Sequence, residues 1–157
     1  MVRCCAAALV ALAPLAPADA EERSTVMEVS ATVTRNCEVT AGALAFGTVN
    51  LQAGEAHDLR QAVTVTCTRG TGWTISAAGG AGGGPRTMTS SEGALDYALY
   101  TDAGRRRLWG DGLRGEAITG TGTGSRQVAP IYARILPGQA DVLPGTYRDR
   151  VVVTVTY

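Results

Sequence analysis

The chain has 157 residues with 14 Lys plus Arg and 14 Asp plus Glu, so its formal net charge is zero. That length supports one buried core, and the charge balance offers no global basic field to recruit nucleic acid. A single histidine, His57, sits in a polar stretch that reads as an exposed loop. It leaves too little for a nucleophile and base pair or a metal cluster, so neither catalytic nor metal-binding residues are expected, and no cofactor or small-molecule substrate.

Residues 1–20 read as a secretory signal, with Arg3 ahead of an apolar run and Ala18-Asp19-Ala20 as an A-x-A cleavage site. The run is too short to span a bilayer. Cys4 and Cys5 stand at its start, whereas a lipid-anchored cysteine would stand at its end. A mature chain from Glu21 keeps 137 residues, with 13 arginines and 13 acidic residues. It also keeps only Cys37 and Cys67, which in an exported protein read as one disulfide, two free thiols being the alternative.

No mature segment carries an apolar stripe at helical period, while several alternate with period two, so the class is all-β. Residues 26–34 place Met27, Val29, Ala31 and Val33 on one face and Glu28, Ser30, Thr32 and Thr34 on the other. Further strands are expected at 43–49, 59–68, 73–77, 95–101, 107–109, 126–135 and 147–157. Turn signals such as Arg69-Gly70-Thr71-Gly72 and Leu136-Pro137-Gly138 separate them, as in an antiparallel sandwich. The glycine-rich stretches 79–84 and 120–124 read as mobile connections.

The final run, Val151-Val152-Val153-Thr154-Val155-Thr156-Tyr157, is β-branched almost throughout and reads as a strand with an uncovered edge. Such an edge presents unpaired N–H and C=O groups and invites association. Residues 26–34 are then either the first strand of a closed sandwich or a strand supplied to another copy. In the second case donor and acceptor surfaces differ, so the contact is head-to-tail and propagates as a filament unless it closes into a ring.

Other chemistry is set aside on simple grounds. Asp96, Asp102 and Asp111 read as turn-capping carboxylates rather than calcium ligands, and Arg105-Arg106-Arg107 as a solvated hairpin end. The glycine tracts lack the Gly-Lys-Ser/Thr ending of a phosphate-cradling loop. Trp73, Trp109 and the five tyrosines read as sandwich core rather than a sugar platform.

Several motifs occur in a set order: Leu44-Ala45-Phe46-Gly47-Thr48, Val63-Thr64-Val65-Thr66-Cys67-Thr68, Asp96-Tyr97-Ala98-Leu99-Tyr100-Thr101-Asp102-Ala103, Trp109-Gly110-Asp111-Gly112 and Pro144-Gly145-Thr146-Tyr147-Arg148-Asp149-Arg150-Val151. The ordered set resembles the spore coat protein U domain family of secreted, pilin-like subunits of archaic chaperone/usher pili. The resemblance implies an immunoglobulin-like antiparallel β-sandwich lacking its last strand, completed by strand donation, in a structural subunit of a bacterial surface fibre.

Partners implied in this way are other pilin subunits, a periplasmic chaperone and an outer-membrane usher, on a route through the periplasm to the cell surface. Cys37 and Cys67 match the family's disulfide, and Met27, Val29, Ala31 and Val33 its donor strand. Val151, Val153, Val155 and Tyr157 match the C-terminal strand that a chaperone engages. The resulting division is a signal at 1–20, a donor segment at 21–33 and a sandwich domain at 34–157. A tip adhesin, or an exported monomeric binding module, is the alternative function. One departure from the family pattern, Ala133 in place of a glycine, touches only local strand geometry.

Overall fold

Alternating side chains on antiparallel strands bury one face of each of two sheets, and a computed structural model describes this arrangement for residues 21–78 and 85–157. The expected signal at 1–20 and the glycine stretch 79–84 lie outside the described residues. Strands are β1 (Cys37–Ala41), β2 (His57–Cys67), β3 (Gly72–Ala78), β4 (Arg86–Ser90), β5 (Gly93–Tyr100), β6 (Ile118–Thr121), β7 (Arg126–Ile135) and β8 (Val152–Thr156). A 3₁₀ turn spans Leu51–Ala53. One sheet has the order β1-β2-β7-β5-β4 and the other β6-β3-β8, with every ladder antiparallel. The expected all-β sandwich is present.

Period two holds in β2, β3 and β7, while β5 buries Tyr97 to Tyr100 in succession. In β2 the inward residues Val63, Val65 and Cys67 are buried; in β7, Ala129, Ile131, Ala133 and Ile135; in β3, Trp73, Ile75 and Ala77. Ala133 is fully buried within an unbroken ladder, opposite Leu59 and Leu99. Cys37 and Cys67 face each other across β1 and β2 at a Cα separation of 4.1 Å and form a disulfide. It ties the edge strand β1 to the sheet interior.

Residues 33–157 form one compact unit. Residues 21–32 are a separate segment without helix or strand, and its Val26, Met27 and Val29 are exposed.

Several expectations are corrected. Residues 43–49 join no ladder; they run as extended chain with Leu44, Phe46 and Val49 half-buried. Residues 107–109 make only isolated bridges, Leu108 to Tyr100 and Trp109 to Glu116. Strands β1, β4 and β6 were not among the expected strands; β4 and β6 carry little apolar alternation, whereas β1 alternates but is only five residues long. His57 is not a loop residue: it opens β2, half-buried, with its Nε2 3.0 Å from the Asn50 carbonyl oxygen.

Arg105 is not solvated either. It adopts φ 53° and extends over the outer face of the five-stranded sheet to Asp58, 3.1 Å away, crossing the Tyr132 ring. Asp58 also accepts two hydrogen bonds from Arg134 at 2.7 and 2.8 Å. Those bonds chiefly hold its carboxyl below the usual range, with the charges of Arg134 and Arg105 adding to them against a smaller desolvation effect.

The stretch 120–124 is built into the fold rather than being a mobile connection. Gly120 lies on β6 against the Trp73 indole, where a Cβ would come within 2.3 Å of the ring. Gly122 donates to the Thr71 carbonyl at 2.7 Å and accepts from Gly70 N–H at 2.8 Å. A Cβ there would sit 2.4 Å from the Thr68 carbonyl oxygen and 2.8 Å from Cys67 Cβ. Gly122→Ala is therefore expected to destabilise the fold by about 2 to 3 kcal/mol through overpacking. Gly72→Ala, where a Cβ meets nothing within 4 Å, should shift the thermal midpoint far less; equal shifts would show that close packing is not what selects glycine at 122.

Candidate functional site

The two sheets do not close on each other along one side. β1 and β8 are edge strands of different sheets, and they approach one another without sharing a ladder. Beside them an open cleft of about 1340 Å³ reaches the core. One wall is the extended chain 41–52 and the other is the connection 142–151 together with Val153. Val63, Leu95, Tyr97, Leu99, Ile131 and Ile135 form its floor. These floor residues belong to the main apolar cluster, so the cleft is a gap in the hydrophobic interior, larger than the few hundred Å³ of an ordinary ligand site.

β8 supplies the unpaired backbone edge. It pairs with β3 from Thr74↔Thr156 to Ala78↔Val152, and its other edge makes no ladder among the described residues. Val151, Val153 and Val155 turn inward and pack, half-buried, on the core; Val152 faces outward. Tyr157 is half-exposed, with its hydroxyl 3.3 Å from Asn36 Oδ1. Of the four expected C-terminal residues, Val151 and Val153 line the cleft, Val155 packs on the core beyond it, and Tyr157 stands at the strand's end.

Tyr97 joins the floor to a wall. Its hydroxyl donates to Asp149 Oδ2, and its ring meets Phe46 edge-on at a centroid distance of 6.5 Å. Burial pushes the phenol above its ordinary range, and the hydrogen bond to Asp149 adds to the shift. The 142–151 wall is further held by reciprocal backbone hydrogen bonds between Thr89 and Arg148 and by Tyr147 donating to the Leu143 carbonyl. Near the cleft, Arg86 is only 4 % exposed and donates to the carbonyls of Ala77, Ala78 and Trp109. Those carbonyls satisfy a buried cation that has no carboxylate partner among the described residues.

The expected donor residues Met27, Val29, Ala31 and Val33 are all exposed and lie outside any strand. The chemistry of the cleft is apolar contact plus backbone pairing. Among the described residues no group of three His, Cys, Asp or Glu could hold a metal. Asp102 and Asp111 do cap turns, accepting from the backbone of Arg106 and Arg107, and of Leu113 and Arg114. Asp96 instead accepts from the Thr87 hydroxyl across β4 and β5.

Sequence reasoning missed the cleft walls, Leu44, Phe46, Val49, Val142 and Tyr147 among them. The available signal was the alternation of Leu44 and Phe46, which reads as a strand but carries no mark of lacking a partner.

A family model for the Spore Coat Protein U domain matches residues 23–154. No curated protein matches the sequence. Among solved structures, the chain is similar to a chain of the CsuC–CsuE chaperone and tip adhesion subunit pre-assembly complex from the archaic chaperone-usher Csu pili of Acinetobacter baumannii. That match has a TM-score of 0.61 at 21% identity over 80% of this chain, and spans only 40% of the other. The fold is also similar to a subunit of a chaperone-usher pilus studied for rod uncoiling, with TM-score 0.54 and 14% identity over 90% of this chain and 99% of the other. A third match is the P pilus rod subunit PapA, with TM-score 0.57 and 14% identity over 77% and 98%.

Proposed function

The chain belongs to the Spore Coat Protein U domain family, and from that premise we propose that it is a non-enzymatic structural subunit of a bacterial surface fibre, assembled by donor-strand exchange. The observation that carries this reading is the apolar cleft running beside the unpaired edge of β8. A strand laid there would pair with β8 and cover the floor. The occupant is residues 21–33 of a neighbouring copy, with Met27, Val29, Ala31 and Val33 turned inward. Before assembly a periplasmic chaperone holds the same edge through Val151, Val153, Val155 and Tyr157, and an outer-membrane usher passes the subunit to the surface.

Magnitudes favour this arrangement. Burying Met27, Val29 and Val33, with a smaller share from Ala31, contributes about 5 to 10 kcal/mol as an upper estimate. Ordering about ten residues costs a similar amount, so ladder hydrogen bonds supply the surplus.

The test is a chain lacking residues 21–33. It is expected to bind chaperone but not to polymerise, and a synthetic peptide of residues 21–34 should raise its melting temperature while a scrambled peptide does not. Failure of the truncated chain to fold with or without peptide, alongside a full-length chain that is a stable monomer, would sink the proposal. A subunit that accepts the peptide yet never needs its own donor segment would belong at the fibre tip.

A further inference from the structure

The exposed charges that make no ion pair among the described residues differ in sign at the two ends of the sandwich. At the disulfide end, Arg35, Arg69 and Arg126 are all exposed and in no ion pair among the described residues. Three facts gather them there: Asn36 and Thr68 are joined by backbone and side-chain hydrogen bonds, Arg126 is opposite Thr66, and Gly124 N–H donates to the Cys67 carbonyl. Glu38, on β1 opposite Thr66 of β2, is an acid at the same end.

At the other end, Glu55, Asp96 and Asp141 are exposed and in no ion pair among the described residues. Gln52 donates to the Ala140 carbonyl, and Gln139 bridges to the backbone of Asp96, which gathers these loops. Arg148 and Arg150, with Glu92 and Asp149, lie at this end too, as does Asp58, which is taken up by Arg105 and Arg134. The ends are separated by the length of β2, about 33 Å for its eleven residues. That is several Debye lengths at physiological salt, so each end acts on its own neighbour.

Resting on the strand-donation reading, we propose that the arginine end of one copy docks on the acidic end of the next, and that this complementarity sets the direction in which the donor strand lies. The donor segment leaves its own sandwich beside Arg35, at the arginine end. β8 runs from the acidic end, at Val152, to the arginine end, where Tyr157 meets Asn36. A donor antiparallel to β8 brings its root to the acceptor's acidic end, so opposite charges meet. A parallel donor would bring arginine end to arginine end.

The lengths agree with the antiparallel case. Met27 to Val33 and Val151 to Tyr157 are each seven residues, about 20 Å of strand. Glu21 and Glu22 then continue past Tyr157 toward the acceptor's own arginines.

The experiment uses three full-length variants and follows self-assembly by light scattering at low and high salt. Variant one carries Arg35→Glu, Arg69→Glu and Arg126→Glu; variant two carries Glu55→Arg, Asp96→Arg and Asp141→Arg; variant three carries all six. Variants one and two should each assemble about tenfold more slowly than the parent at low salt, and a mixture of the two should recover, as should variant three alone. High salt should narrow every difference. Unchanged rates in variants one and two, or no recovery in the mixture and in variant three, would overturn the proposal. Melting with the 21–34 peptide is the control. A rise in every variant shows an intact acceptor cleft, so failed recovery then counts against the charge contact alone, whereas no rise in the parent counts against strand donation itself.

Discussion

Val29→Arg should abolish fibre growth while leaving the subunit's own fold untouched. Val29 is 87% exposed and belongs to no strand, and substitutions at such sites ordinarily change stability by no more than about 0.5 kcal/mol. In the proposed assembly the same side chain lies in the neighbour's cleft among Leu95, Leu99 and Ile131, where the lining carboxylate, Asp149, is already engaged by the Tyr97 hydroxyl. Burying an unpaired guanidinium there, and losing the valine's own burial, costs several kcal/mol, enough to weaken the contact by about a thousandfold. Sedimentation of the variant should show monomer or chaperone complex where the parent forms polymer. Its melting temperature in the unassembled state should match the parent's. Val29→Ile is the companion, expected to assemble normally. A polymerising Val29→Arg chain would remove the donor role from this residue.

Cys67→Ser should give the second large effect. The disulfide joins β1 to β2 with a sequence separation of 30. Removing a cross-link of that span costs about 3 to 4 kcal/mol in the loop-entropy account. The loss weighs more here than in a closed sandwich, because β1 is an edge strand whose other side adjoins the cleft. Freed from Cys67, β1 is held only by its ladder to β2. Exported yield should fall sharply, and the unassembled subunit should melt well below the parent. Reductant should lower the parent's midpoint and leave that of the serine variant unchanged. A parent insensitive to reductant would mean the bridge contributes little.

These two sites differ in how they could be read. Cys37 and Cys67 were legible because, with residues 1–20 read as a signal, two cysteines remain and have one pairing available, and the structure contains that pair. Val29 was legible only as one member of an alternating face; its exposure and lack of a strand partner required coordinates. Arg105 was misread for a related reason. Three consecutive arginines after a turn give no hint that one of them crosses a sheet to Asp58, a residue 47 positions earlier.

Local pattern by itself determined the all-β class and the strands β2, β3, β5 and β7, because period-two alternation is written directly into neighbouring side chains. Tertiary structure alone decided that residues 43–49 have no partner, that Gly120 and Gly122 serve close packing rather than mobility, and that the interior opens between β1 and β8. Whether an edge is paired depends on which strands, far apart in the chain, arrive beside it. A hydrogen-bond donor left without an acceptor has the same sequence as one that is satisfied.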